Sequence, residues 1–127
     1  MGYPQAMAFP PADLAALEGA YEIEIETRAA PDAPLHTTII WVVSDGPDAF
    51  IRSVNGATAR WYREARGNPV GIRANGRHLD ARAVPAVDAD SIARTSAAFM
   101  RKYDGDPDMS SMVEDDILDT TLRLEPA

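Results

Sequence analysis

The stretch His36–Pro69 constrains the fold of this chain more than any other part of the sequence. Its apolar run, Thr37–Ser44, predicts a strand that is buried on both faces. The dipeptide Asp45-Gly46 is typical of a hairpin turn, and Ala49–Val54 then returns as a second strand. A short helix is expected over Thr58–Arg66, with its first residue as the N-cap. A strand pair followed directly by a short helix is therefore the local unit on which the rest of the fold is built.

The remaining sequence adds four strands and two helices. Apolar and charged residues alternate along Tyr21–Arg28, which indicates an antiparallel strand with one solvated face. Asn75-Gly76 is the strongest hairpin signal in the chain. The further elements predicted from such patterns are helices beginning at Pro11 and spanning Asp88–Tyr103, and strands at Tyr21–Arg28, Val70–Ala74, Arg77–Val84 and Asp119–Glu125.

These elements indicate a fold that is mainly β, with two or three helices. Six strands, mostly antiparallel and without βαβ alternation, predict a small β-barrel. We expect one barrel domain over residues 12–127, with the first helix covering one mouth of the barrel. Residues 1–11 contain three prolines and no periodicity, so we expect a flexible N-terminal lead-in.

Composition excludes several classes of function. The chain has no Cys, which excludes disulfides, Cys-ligated metals and a thiol nucleophile. Its net charge of -8 argues against a nucleic-acid partner, because phosphate backbones require surplus Lys and Arg. No apolar run approaches the ~20 residues of a membrane span, and no signal-peptide pattern opens the chain. We therefore expect a cytoplasmic protein without a membrane partner.

Arginine is concentrated in the middle of this acidic chain. Residues 52–82 hold seven arginines against Glu64 and Asp80, a net charge of +5 that leaves -13 for the rest. Arginine suits bidentate binding of phosphate or carboxylate, so the concentration favours a local anion site. The alternative is a set of separate solvated arginine faces. Arg52 lies mid-strand among apolar residues, where a charge needs a partner, and is the leading candidate for an anion contact.

A series of short motifs follows in an order and spacing that occur in a known family. The motifs are Thr37–Val43, Asp45-Gly46, Arg52-Ser53, Asn55-Gly56, Trp61-Tyr62 and Asn68-Pro69. Together they resemble the deazaflavin-dependent nitroreductase family of the split β-barrel superfamily, which also includes pyridoxamine-phosphate-oxidase-like flavin proteins. The resemblance spans Tyr21–Pro126. It points to a small subfamily without assigned function.

This resemblance implies a six-stranded, FMN-binding-type split β-barrel that forms a homodimer. It implies an oxidoreductase that uses FMN or a deazaflavin (the 8-hydroxy-5-deazaflavin coenzyme) to pass hydride to a small organic acceptor. The cofactor would lie in a groove between protomers, with its phosphate near Ser53 and the backbone N–H groups at Asn55-Gly56. The cofactor-binding residues implied are His36, Thr38, Ile40, Arg52, Ser53, Asn55, Gly56, Arg60, Trp61 and Tyr62.

No catalytic residue or metal site stands out from the sequence. No nucleophile–base pair is evident, which is expected where a flavin ring carries the chemistry. His36 and His78 are too far apart in sequence to form a recognisable metal motif. Two lysines that face the anionic tail of the deazaflavin in the resembling family are absent: Val54 stands in one place and the turn Thr27–Asp32 has no Lys.

These departures leave other functions open beside the deazaflavin enzyme. They favour a smaller cofactor such as FMN. One alternative is a cofactor-free split-barrel homodimer that acts as a small-ligand-binding or interaction module. Another is a different small β-barrel without a ligand.

Overall fold

The structure, a computed structural model, describes residues 8–127. The strands are β1 Ile23–Thr27, β2 His36–Ile40, β3 Val43–Asp45, β4 Asp48–Ile51, β5 Pro69–Ala74, β6 Arg77–Pro85 and β7 Leu122–Pro126. The helices are α1 Pro11–Gly19, α2 Arg60–Ala65 and α3 Ala89–Lys102, with two 3₁₀ helices at Met109–Val113 and Asp115–Thr120. Within this part of the chain, all seven strands pair antiparallel in one sheet of order β2-β1-β5-β6-β7-β4-β3.

The link between β2 and β3 curls the sheet into a barrel. These two strands are the opposite edges of the sheet, yet only Trp41 and Val42 separate them in sequence. Ile40 ends β2 and Val43 begins β3, and three residue steps span at most ~11 Å, so the two edges must lie close together at this point. The predicted mainly β, split-barrel architecture is therefore confirmed, with seven strands in place of six.

The extra strand arises because the predicted single strand Thr37–Ser44 is interrupted. The Val42 carbonyl accepts hydrogen bonds from Lys102 Nζ at 2.7 Å and from the Tyr103 hydroxyl at 3.3 Å. Since α3 takes this acceptor, the backbone leaves the β1 ladder after Ile40 and pairs with β4 from Val43 onward. The prediction of burial on both faces is wrong for β2, whose Ile39 is 61% exposed at the sheet edge.

The backbone confirms one predicted turn and shows how two of the helices begin. Asn75 and Gly76 both have positive φ, 48° and 79°, and they form the turn of the β5–β6 hairpin. Asp88 caps α3 by accepting from the Ser91 N–H at 3.0 Å. Thr58 was the wrong cap for α2, which begins after Ala59 without any side-chain cap.

The interior has two apolar clusters, one inside the barrel and one beneath α3. Leu17 of α1 lies in the first cluster, so α1 covers one end of the barrel as predicted. Phe50, Phe99 and Tyr103 form the centre of the second cluster. Of the predicted lead-in, residues 1–7 lie outside the described residues, and Phe9 packs into the first cluster. No helix within residues 8–127 is long and apolar enough to cross a membrane.

The Lys102 contacts at the β2–β3 link generate a stability prediction. Besides Val42, the ammonium donates to the Leu17 carbonyl at 3.1 Å. Lys102→Met keeps the apolar stem but removes these bonds, so we expect the free energy of unfolding to fall by about 1–3 kcal/mol. Urea denaturation measures the change. Arg101→Met, which removes the exposed neighbouring cation, should change it by less than about 0.5 kcal/mol, and equal losses in the two variants would contradict this role of Lys102.

Candidate functional site

A groove opens where the chain passes from β2 to β3, and both tryptophans of the sequence line it. Its volume is about 350 Å³. We call it the tryptophan groove. Its lining residues are Glu22, Thr38, Ile39, Ile40, Trp41, Arg52, Val54, Asn55, Trp61, Asp108, Ser111 and Met112.

The walls of the tryptophan groove are apolar and its tryptophans are held in place. Ile39 is 61% exposed and Val54 is 50% exposed at the rim. Trp41 stacks on Tyr103 with ring centroids 3.8 Å apart and planes 5° apart. Trp61 is buried on α2. Rigid aromatic and aliphatic walls of this kind favour a flat ligand ring.

The structure brings five of the ten predicted cofactor residues to this groove: Thr38, Ile40, Arg52, Asn55 and Trp61. The other five are His36, Ser53, Gly56, Arg60 and Tyr62. Of these, Ser53 and Gly56 lie in the loop that follows β4, next to Asn55. Their assignment to a cofactor stays a prediction.

Arg52 is fully buried, with 1% of its surface exposed, and its guanidinium is bound by neutral acceptors within the chain. Nε donates to Thr121 Oγ1 at 2.8 Å, and Nη2 donates to the Ile92 carbonyl at 2.9 Å. Nη1 donates to Ser96 Oγ at 2.9 Å and to the Met112 carbonyl at 3.1 Å. Burial lowers the pKa of Arg52 to about 10, so the group stays charged near neutral pH. Four of its five N–H donors thus hold the protein together.

In the loop predicted to hold a phosphate, the hydrogen-bond donors of Ser53 and the Gly56 N–H are also paired within the protein. Ser53 Oγ donates to the Gly56 carbonyl at 2.7 Å, and the Ser53 N–H donates to Thr120 Oγ1 at 3.0 Å. The Gly56 N–H donates to the Ser53 carbonyl at 3.0 Å. A phosphate at this loop would therefore receive no free donor from Ser53 or from the Gly56 N–H.

The concentration of arginine in sequence does not form one site in space. Arg73 pairs with Glu26 at 3.1 Å and Arg77 pairs with Asp13 at 2.7 Å, on the outer surface. Arg82 donates to the Gly67 carbonyl at 2.9 Å, and Arg52 is buried. The arginines therefore do not form the local anion site as a group, and the alternative of separate arginine faces describes Arg73, Arg77 and Arg82 better.

His36 lies in a polar cluster with Glu64 and Thr27 that no sequence motif indicated. Glu64 of α2 is 9% exposed, and its Oε1 accepts from the Thr27 hydroxyl at 2.8 Å. His36 Nδ1 lies 3.1 Å and 3.2 Å from the two carboxylate oxygens. These hydrogen bonds, first that from His36, lower the pKa of Glu64, and the nearby charge of Arg60 lowers it further. The position of Glu64 between Trp61 and Ala65 on the apolar side of α2 is the signal that could have revealed it.

A larger groove, of about 750 Å³, lies on the outer face of the sheet and contains none of the predicted site residues. There the Glu26 carboxylate lies over Gly71 and pairs with His78 Nε2 at 2.8 Å. A Cβ atom at residue 71 would clash with the Glu26 carboxylate, so Gly71 lets the pair lie in this position. Glu26 and His78 both line that groove.

Removing the guanidinium of Arg52 should destabilise the protein strongly. Arg52→Leu removes the donor from two buried and two part-buried acceptors, and we expect the free energy of unfolding to fall by at least about 3 kcal/mol. Urea denaturation gives the value. Arg82→Leu is the matched control, since Arg82 is exposed and should cost less than about 1 kcal/mol. A loss below about 1 kcal/mol for Arg52→Leu would show that these bonds contribute little.

The Glu64 cluster predicts an acid-sensitive contribution to stability. Because the folded protein lowers the pKa of Glu64, the contribution is complete above the ordinary glutamate pKa and is lost as pH falls through the lower, folded value. The melting temperature of the wild type should therefore fall on acidification below about pH 5. The melting temperature of Glu64→Gln should fall by less over the same pH range. Asp104→Asn, at an exposed position, is the control and should follow the wild-type curve. Parallel curves for the wild type and Glu64→Gln would refute the assignment.

Three solved structures with similar folds give the barrel a context. The FAD binding protein from Mycobacterium smegmatis matches with a TM-score of 0.63 and 15% identity, over 94% of this chain and 91% of that chain. The heme storage protein HutZ from Vibrio cholerae matches with a TM-score of 0.61 and 14% identity, over 95% and 92%. The FAD and heme binding protein from M. smegmatis matches with a TM-score of 0.61 and 16% identity, over 96% and 68%.

At these identities the likeness concerns the fold, and it confirms the split β-barrel predicted from the motifs. No curated protein matches the sequence. A family model described as "Uncharacterized protein conserved in bacteria (DUF2255)" matches residues 13–124. Since this match covers most of the chain, the protein belongs to the DUF2255 family.

Proposed function

We propose that the tryptophan groove binds the ring of a flavin-class cofactor and that the protein is an oxidoreductase acting on a small organic acceptor. The observation that carries the proposal is the composition of the groove. Exposed Ile39 and Val54 and the fixed rings of Trp41 and Trp61 surround a space open to solvent. Exposed apolar side chains gathered around a concave site are typical of a ligand-binding surface.

The similar structures support the same class of ligand. Two of them are named for binding FAD, and two are named for heme. Both ligands carry a large flat ring, and both proteins named for FAD share the barrel found here. When bound, a flavin-class ring accepts or donates a hydride, and the protein supplies its position and environment.

The groove fits the ring of such a cofactor better than a phosphate. Ile39 and Val54 would cover its faces, while Thr38 and Asn55 offer polar groups to its edges. The charges that line the groove are Glu22, Asp108 and Arg52. Two are carboxylates, and the arginine already donates to four acceptors within the chain. We therefore propose that recognition rests on the ring and that a phosphate or a longer anionic tail points away from the groove.

This balance of charge favours a compact flavin such as FMN over a deazaflavin with a long anionic tail. Val54 occupies the position at which the resembling family has a lysine. Its side chain is half exposed at the rim, so this edge of the groove is apolar. A second position of that kind, in the turn after β1, also lacks Lys.

We also propose that a second copy of the chain covers the rim of the groove. Tyr21, Ile39 and Val54 are each at least half exposed beside it, at 57%, 61% and 50%. The adjoining β2 is an edge strand of the sheet. Apolar residues next to an open strand edge are a surface that proteins commonly pair with another chain. Sedimentation of the wild type against Ile39→Glu tests for this dimer.

The alternative is a cofactor-free barrel that binds another small ligand or acts as an interaction module. The observation in its favour is that Arg52, Ser53 and the Gly56 N–H donate hydrogen bonds to acceptors within the protein. None of them then serves a cofactor phosphate. The titration below separates the two functions.

Intrinsic fluorescence can test the ring proposal, because both tryptophans lie in the groove. We expect riboflavin to quench this fluorescence saturably. FMN should bind no more tightly than riboflavin, since its phosphate gains no free donor in the groove. Val54→Glu should weaken both by about tenfold or more, because the new carboxylate faces an apolar ring.

Val87→Glu is the matched control for that titration. Val87 is 52% exposed, much like Val54, but does not line the tryptophan groove. Its substitution should leave the flavin affinity within about twofold of the wild-type value. If neither riboflavin, FMN nor the deazaflavin coenzyme quenches saturably, the cofactor-free alternative is the correct one. Oxidation of chemically reduced flavin by a nitro or quinone acceptor, accelerated by the protein, then tests the reaction itself.

A further inference from the structure

We propose that a second groove, on the other side of α2, is a binding site for small organic anions. Its volume is about 550 Å³. We call it the arginine groove. Its lining residues are Ala57, Tyr62, Arg63, Arg66, Pro85 and Val87, with Asp119 at one side.

The two arginines of this groove have no acidic partner. Within residues 8–127, neither Arg63 nor Arg66 forms a salt bridge, whereas Arg73, Arg77, Arg94 and others do. Both side chains are exposed. The two guanidinium groups therefore share a concave surface, and neither has a carboxylate of the described residues within 4.0 Å. Their donors remain available to an oxyanion.

One hydrogen bond, donated by its Nε atom, fixes the guanidinium of Arg63. Its Nε donates to the Thr58 carbonyl at 3.2 Å, just before α2 begins. This contact leaves both terminal nitrogens without a partner in the described part of the chain. A guanidinium fixed at Nε loses less conformational entropy when an anion binds at its outer edge.

Tyr62 adds a hydroxyl to the same groove. The residue is only 5% exposed, yet its hydroxyl makes no hydrogen bond with the residues described. No polar side-chain atom in this part of the chain is both buried and unpaired, so the Tyr62 hydroxyl must reach solvent. Because Tyr62 lines the arginine groove, we place that hydroxyl at its surface. A phenol O–H is a good donor to an anionic oxygen.

The remaining lining residues define what kind of anion fits. Val87 is 52% exposed and Pro85 lies beside it, so part of the groove is apolar. Asp119 contributes one negative charge and the two arginines contribute two positive charges. The net charge of the lining is therefore +1, which suits a ligand with a single oxyanion group. The ligand class is therefore a carboxylate or phosphate carried on a small apolar body.

The site is distinct from the tryptophan groove. Trp61 and Tyr62 are consecutive on α2, and each lines a different groove. Anion binding can therefore be measured without any flavin, and its outcome does not depend on the proposed cofactor.

Calorimetry at fixed ionic strength tests the site with benzoate, phenyl phosphate and inorganic phosphate as probes, and with neutral benzamide as the control ligand. We expect saturable binding of at least one aromatic anion, weaker binding of inorganic phosphate, and none of benzamide. Comparing benzoate with phenyl phosphate shows which oxyanion the groove prefers.

Three variants locate the binding. Arg66→Gln should weaken binding of the aromatic anion by about tenfold or more, and Tyr62→Phe should weaken it severalfold, since each removes a donor. Arg60→Gln is the matched control, because it removes the same charge from an exposed position of α2 outside the groove and should change affinity by less than about twofold. Absence of saturable binding by every anion, or an equal loss in Arg60→Gln and Arg66→Gln, would overturn the proposal.

Discussion

The closure of the barrel by a two-residue link is the constraint on which the rest of this structure depends. Trp41 and Val42 carry the chain from one edge of the sheet to the other. Closure is fixed from outside the sheet, because Lys102 and Tyr103 at the end of α3 bind the Val42 carbonyl. The same residues place Trp41 against Tyr103 and so set one wall of the tryptophan groove. The groove lies at this seam, where the two edge strands of the sheet, β2 and β3, come close together.

Arg52 shows how a charge can serve the architecture of a site without serving a ligand. Its guanidinium joins the end of β4 to α3, to the first 3₁₀ helix and to Thr121 before β7. Desolvation of a cation is costly, and neutral acceptors offset it only when several converge with good geometry. The convergence makes the floor of the groove rigid. It also commits Arg52, the one cation among the described residues that line the groove, to acceptors within the protein, so we expect recognition there to depend on shape and apolar contact.

How far the sequence predicted this outcome depends on the range of the interaction involved. The Asn75-Gly76 turn is determined by two adjacent residues, and it was correctly predicted. The break at Trp41-Val42 and the four partners of Arg52 depend on segments that lie 40 to 69 residues away in sequence, which no local pattern reveals. The prediction that the arginines form a shared anion site was wrong for the same reason. Arg73 and Arg77 are close in sequence but find Glu26 and Asp13 on separate elements.

Helix α2 is where these local and distant constraints meet. It has only six residues, yet it supplies Trp61 to one groove, Tyr62 to the other and Glu64 to the cluster with His36 and Thr27. A helix this short is not stable alone, so its orientation is set by what it buries. The carboxylate of Glu64 can accept hydrogen bonds from the barrel in only one rotation of the helix. That rotation directs the consecutive residues Trp61 and Tyr62 to the two different grooves. Glu64 lines neither groove, yet by fixing this rotation it determines which aromatic side chain each groove presents to a ligand.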